Sequence, residues 1–298
     1  MSAPPAQAAG RPASDRRGRE AQFAIGRLLG LRFGTELVIL AMALTMLVFF
    51  VYPTIWILFA SFKTQETIFG GRSGHFTLQN YVALFQSGYT RALMNSFVVC
   101  IASVATSVFV SVLAAYAFSR MVFVGRGVLF RTVLLGQTFP WIVLVTPLFA
   151  WFARIGLLDS RFGLAAAYVA VTIPFSIYML VGYLQGVPRS LDEAALIDGA
   201  SYWQILWKVI FPVILPGVVA TATYSFLVCW GEYLFALAFL SDEGLKTMPL
   251  VLQAYFGDQS PDWGLVMAAS VVATLPTLAI FLPVQGRIVS GLGGGAVK

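Results

Sequence analysis

Side chains able to do chemistry are scarce in this chain, and their spacing narrows its role. It has one histidine, His75, and two cysteines, Cys100 and Cys229. They form no CxxC pair and no Cys/His cluster, so no metal site is expected. Both cysteines fall within long apolar runs and read as small packing residues. No G-x-x-x-x-G-K-[ST] stretch exists to cradle a phosphate. No carboxylates or histidine gather at one depth, so no catalytic residues are expected and the chain does not read as an enzyme. Two acidic features remain. One is the segment EAALIDGASYWQILWKVIFPVILPG, residues 193–217. The other is Glu232, a carboxylate inside an apolar run, where an ionisable group is rare and costly.

The first feature has a local logic. Pro188 ends the preceding element. Ser190 and Glu193 have the S-x-x-E spacing of a capping box, and Gly199 suits the end of the short helix that follows. Ser201 and Gln204 repeat the box as S-x-x-Q. A second helix then runs through Ile205, Leu206, Val209 and Ile210 to an end or kink at Pro212. Each helix is too short to be stable alone in water, so something must pack against it.

The elements around these features are apolar. Hydrophobic residues make up 59% of the 298 positions and charged ones 11%. A soluble domain carries about 25% charged residues. Six runs approach the roughly 20 residues needed to cross a bilayer: 36–60, 93–118, 128–152, 162–184, 213–239 and 264–284. The fold class expected is all-α, a polytopic membrane protein with six transmembrane helices. With the N-terminus inside the cell, 13 of the 19 Lys and Arg residues fall on the cytoplasmic side. That choice puts both termini and the 185–210 loop in the cytoplasm. The net charge of +6 is then a topology signal and needs no nucleic acid. Residues 1–33 lack a signal-peptide core and read as a disordered basic cytoplasmic arm, with residues 34–298 as the transmembrane domain.

The residues quoted carry a resemblance. Glu193, Ala194, Ala195, Asp198, Gly199 and Pro212 fall in register with the EAA loop of ABC importer membrane subunits, and the DGA form is that of the carbohydrate, maltose-type branch. AAYAFSRMVFVGR (114–126), FPWIVLVTPLFAWFARIGLLDSRFGL (139–164) and GRIVSGLGGGAVK (286–298) are similar to further stretches of that family. One departure is Trp230-Gly231-Glu232, where the family often has Trp-Asn-Asp or Trp-Asn-Glu.

The resemblance implies a bacterial or archaeal plasma-membrane permease. Its loop at 185–212 would form a coupling helix docked on a cytoplasmic ATPase dimer. ATP and Mg would be bound by that partner, with no cofactor in this chain. It further implies a second homologous membrane subunit and an extracytoplasmic solute-binding protein delivering a sugar, an oligosaccharide or a sugar or glycerol phosphate. In the family, the 62–91 and 240–262 loops face that binding protein.

Candidates for the solute pathway are Glu232, Tyr224, Gln137 and Asn95. Glu232 has two readings: it accepts hydrogen bonds from the solute or gates a cavity, or it pairs with a polar group on a partner or lies near the outer interface. Asn95 belongs to a span rich in small hydroxyls (Ser96, Ser103, Thr106, Ser107, Ser111), a composition that more often serves helix packing. The alternative function is an ion-gradient-driven secondary transporter in which Glu232 carries a proton. Paired interrupted spans at matching positions in two halves are missing from the sequence.

Overall fold

A computed structural model describes residues 13–70, 76–257 and 261–293, with side chains described for 35–70, 76–257 and 261–286. Every regular element among these residues is helical. The chain divides into two units, Met1–Ile57 and Leu58–Lys298.

The described residues of the first unit lie within α1, Ala13–Ala60, which runs for 48 residues with Pro53 inside it. Residues 13–33, expected to be disordered, are helical. They contain no proline and are rich in Arg, Ala and Leu, which favour helix. Residues 1–12 lie outside the described residues, as does His75.

The second unit contains α2 (Gln65–Phe69), α3 (Gln79–Gln86), α4 (Tyr89–Arg120), α5 (Arg126–Leu135), α6 (Trp141–Arg154) and α7 (Arg161–Gln185). It continues through α8 (Ser190–Ile197), α9 (Tyr202–Gln204), a wide π turn (Ile205–Ile210), α10 (Phe211–Trp230), α11 (Leu234–Phe239), α12 (Met248–Ala254) and α13 (Trp263–Gly293).

Among the described residues, five helical runs are long and apolar enough to cross a membrane: Thr35–Ala60, Tyr89–Arg120, Arg161–Gln185, Tyr202–Trp230 and Trp263–Gly286. The sequence predicts six. The run expected at 128–152 is divided into α5 and α6, of 10 and 14 residues. Gly136 and Pro140 flank the break; proline cannot continue the hydrogen-bond ladder and disfavours helix in the residue before it. The run at 213–239 is likewise interrupted after Trp230 and resumes at Leu234. In the other direction, the second short helix does not stop at Pro212. The π turn widens the ladder just ahead of that proline, and the helix continues into α10.

The most extensive helix contact is between α4 and α7, and α10 packs on both. Gly217 makes the α7–α10 approach possible: a Cβ there would stand 2.4 Å from the Tyr183 ring. Small hydroxyls tie these three helices together. Thr172 Oγ1 donates to Ser107 Oγ at 3.0 Å, and Ser176 and Ser225 are hydrogen-bonded at 3.2 Å. All four residues are buried. Such bonds let helices associate where lipid supplies no hydrophobic drive.

Two apolar clusters flank this hydroxyl layer. One gathers Tyr168, Trp230, Phe235, Phe239 and Met248. The other gathers Tyr116, Leu180, Leu184, Ile205, Leu206 and Ile210. The second cluster provides the packing that the short helices of the 190–210 loop require.

Candidate functional site

The stretch from Pro188 to Ile210 joins α7 to α10. Its first helix, α8, ends as the sequence predicts. Gly199 adopts φ +79°, and the N–H groups of Gly199 and Ala200 donate to the carbonyls of Leu196 and Ala195, both at 3.0 Å. This paired closure satisfies helix-end carbonyls and requires the left-handed conformation that glycine adopts freely. The second capping box also forms. Gln204 N–H donates to Ser201 Oγ at 3.4 Å, and Ser201 N–H donates to Gln204 Oε1 at 2.9 Å.

The first box does not form. The residue before α8 is Arg189, in helical conformation, and Ser190 lies inside the helix with no side-chain cap. The reason is the rotation of α8, which turns Asp192 into the bundle and Glu193 out of it. Asp192 Oδ2 sits 3.1 Å from Arg120 Nε at the end of α4, with both side chains about nine-tenths buried. Tyr116 Oη donates to Asp192 Oδ1 at 3.3 Å. Arg120 also donates to the Val187 carbonyl at 2.8 Å, and Arg189 donates back to the Ser119 carbonyl at 3.2 Å. These four residues clasp the loop to α4. The anchoring carboxylate is therefore Asp192 and not Glu193, its neighbour in the sequence.

What the clasp leaves outside is distinctive. Glu193, Ala194, Asp198 and Gly199 are exposed, and Ala195 is half-buried against the apolar cluster below. Ile197 is 86% exposed, and Leu191 and Leu196 beside it are also exposed. Tyr202 and Trp203 continue this apolar surface. Pro212 is exposed at the start of α10 and shapes the turn rather than the loop surface.

The four pathway candidates occupy separate environments. Glu232 is buried and engaged within its own chain. Its carboxylate accepts from Tyr168 Oη at 2.8 Å and from the N–H groups of Phe235 and Ala236 at 2.8 and 3.2 Å. It thus caps α11 across the break that follows Trp230. Asn95 donates to the carbonyls of Gly244 and Lys246 at 3.0 and 2.9 Å, holding the 241–247 loop on α4. Gln137 and Tyr224 stay exposed beside successive residues of α7. Gln137 donates to the Pro174 carbonyl at 3.1 Å, and the Tyr224 ring lies 3.9 Å from that of Phe175.

A cavity of about 390 Å³ opens beside the same break, lined in part by Trp230, Gly231, Tyr233, Gln253, Phe256 and Thr277. Sequence reasoning missed these lining residues because they come from three separate helices and the turns between them. It also missed Asp192, Arg120 and Tyr116. Among the described residues, no group of three or more His, Cys, Asp or Glu side chains could hold a metal ion.

Residues 107–292, more than half of the chain, match the family described as "Binding-protein-dependent transport system inner membrane component". The chain belongs to that family. The match takes in the clasp, the 190–210 loop and the Glu232 break. The sulfoquinovosyl glycerol transport system permease SmoH of Agrobacterium fabrum is 36% identical over 83% of this chain and 88% of its own length. The trehalose/maltose transport system permease MalG of Thermococcus litoralis is 37% identical over 86% of this chain and 94% of its own. The fold is that of a chain from a bacterial ABC transporter that imports alginate, with a TM-score of 0.72 at 22% identity over 94% of this chain and 99% of that one.

This importer permease is accordingly a multi-pass transport subunit and not an enzyme. Membership settles the choice between an ATP-driven importer and an ion-driven carrier in favour of the importer.

Proposed function

We propose that this permease subunit moves a carbohydrate across a bacterial or archaeal plasma membrane, and that the 190–204 segment is its coupling element. In this reading α5 and α6 together make the sixth crossing. Both termini and the 190–204 segment face the cytoplasm, in keeping with the excess of Lys and Arg on that side. The observation that carries the reading is the contrast on α8: Asp192 is buried against Arg120, while Ile197 is exposed on the same eight-residue helix. A helix fixed on one side and apolar on the other is suited to a groove on another protein.

The partner seated on α8 is a cytoplasmic ATPase dimer, which binds ATP and Mg. Its closure on ATP moves α8, and the clasp passes that movement to α4. The other partners are a second, homologous membrane subunit and an extracytoplasmic solute-binding protein. Solved relatives support such partners: one is an alginate ABC transporter in complex with an alginate-bound periplasmic protein. The carbohydrate class is supported by the substrates in the relatives' names, which include trehalose, maltose, sulfoquinovosyl glycerol and diacetylchitobiose. It is also supported by the cavity beside Gly231. Aromatic rings there suit the apolar faces of a sugar, and Gln253 and Thr277 suit its hydroxyls.

The test is uptake by the assembled complex in intact cells, using labelled trehalose, maltose and diacetylchitobiose as probes. Uptake of at least one should stop on ATP depletion while the ion gradient is held. Uptake that persists without ATP would overturn the proposal.

A further inference from the structure

At the end of the bundle that carries the clasp, a second cavity of about 380 Å³ is lined by Ser119, Arg120, Arg126, Gln185, Val187, Pro188 and Arg189. Three guanidinium groups from α4, α5 and the start of α8 converge on it. Among the described residues, the carboxylate paired with them is Asp192, on Arg120. Among the described residues, Arg126 is held by a hydrogen bond to the Met121 carbonyl and Arg189 by one to the Ser119 carbonyl. A guanidinium offers several donors in a fixed plane, so most of theirs are unspent.

Ser119 supplies an independent sign. Its side chain is 5% exposed, it lines the cavity, and its Oγ has no hydrogen-bond partner. A buried hydroxyl left without a partner costs free energy unless something arrives to satisfy it. Three arginines and an unpaired hydroxyl lining one cavity have the chemistry that suits a phosphate group.

The surroundings identify which phosphate. The chain between α4 and α5 is Met121-Val122-Phe123-Val124-Gly125. Val122 is 91% exposed and Val124, two residues before Arg126, is fully exposed. This apolar tip joins one long membrane-type helix to the next apolar segment. A tip of this kind belongs among acyl chains, with the adjacent arginines at headgroup level. A free phosphate in water has no use for it. We propose that the cavity holds the phosphate of an anionic phospholipid, with the 121–124 tip lying against its acyl chains. Basic pockets between membrane helices bind anionic headgroups by this chemistry. The site is separate from the face of α8 assigned to the ATPase, and the lipid steadies the end of α4 on which the clasp is built.

The experiment uses the assembled transporter in nanodiscs of phosphatidylcholine containing a minor fraction of spin-labelled phosphatidylglycerol. The wild type should immobilise phosphatidylglycerol in preference to labelled phosphatidylcholine, and millimolar inorganic phosphate should leave it bound. Arg126→Gln with Arg189→Gln should abolish the preference. Ser119→Ala should weaken it, and Val122→Ser with Val124→Ser should weaken it without creating competition by phosphate. Arg120 is left intact because it holds Asp192 in the buried ion pair, whereas Arg189 gives the clasp a single hydrogen bond, to the Ser119 carbonyl. The inference is overturned if the wild type shows no preference, if the double arginine variant keeps it, or if inorganic phosphate displaces the lipid. It is also overturned if the exposed tip crosslinks to the ATPase instead of to lipid. None of these outcomes depends on which solute is carried.

Discussion

Arg120 and Asp192 meet at 3.1 Å across the junction of the long helix α4 and the short helix α8. The contact is an ion pair without the alignment of a hydrogen bond, and Tyr116 completes the acceptor side of the carboxylate. A buried pair of this kind adds little net stability but is costly to break on one side. Its value is geometric: it fixes the rotation of α8, and with it the residues that α8 displays.

Asp192→Asn should therefore be more damaging than its conservative chemistry implies. It strands the Arg120 guanidinium in a buried site, a loss of about 3–5 kcal/mol. Thermal aggregation of the purified complex should shift to lower temperature. The neutral pair Arg120→Gln with Asp192→Asn should recover much of the loss, because both charges are then gone. Equal stability of the single and double variants would remove the ion pair from the account.

Gly199 should rank substitutions by backbone conformation and not by size. Nothing lies within 4 Å of a Cβ built there, yet φ is +79°. A left-handed residue costs about 1–2 kcal/mol for most side chains, and asparagine tolerates it best. The expected order of retained ATP-coupled uptake is Gly, Asn, Ala, Val. Valine performing as well as asparagine would contradict the closure described for α8.

Much of this region was legible in advance because capping and helix closure are local. Ser201, Gln204 and Gly199 each act on backbone within a few residues, so spacing alone predicts them. The clasp was not legible. Asp192 and Arg120 are distant in sequence, and nothing local separates Asp192 from Glu193 until α4 is seen to lie against one side of the helix. The same holds at α5–α6, where apolar composition predicts one crossing and the Gly136–Pro140 turn divides it. Glu232 shows the limit most clearly. Its rarity marked it for attention, but only the folded position of Tyr168 and α11 shows what its carboxylate binds.

Glu232→Ala should destabilise the bundle. It leaves the Tyr168 hydroxyl and the N–H groups of Phe235 and Ala236 without an acceptor, at about 1–3 kcal/mol for each buried unsatisfied group. Glu232→Gln keeps one acceptor oxygen and should lie between alanine and wild type. Melting of the complex in detergent reads the stability, and uptake in parallel reads function. A stable Glu232→Gln complex that fails to transport would assign the carboxylate a role beyond capping. An alanine variant as stable as the wild type would refute the cap.

Gly217→Leu should force α7 and α10 apart, because even the first carbon of the new side chain meets the Tyr183 ring at 2.4 Å. Overpacking of this kind costs about 1–3 kcal/mol. Gly217→Ala combined with Tyr183→Leu should assemble better than Gly217→Ala alone. No rescue by the second substitution would mean that the two helices do not meet at this point.

The central claim is that the exposed face of α8 is where another protein delivers force. Photo-crosslinking from position 197 tests it most directly, with a benzoylphenylalanine replacing Ile197 in the complete transporter in native membranes. The account predicts a covalent product with the ATPase subunit whose yield changes when ATP and vanadate trap the closed dimer. Products confined to the permease itself, or labelling of position 197 by membrane-impermeant reagents added outside the cell, would contradict it.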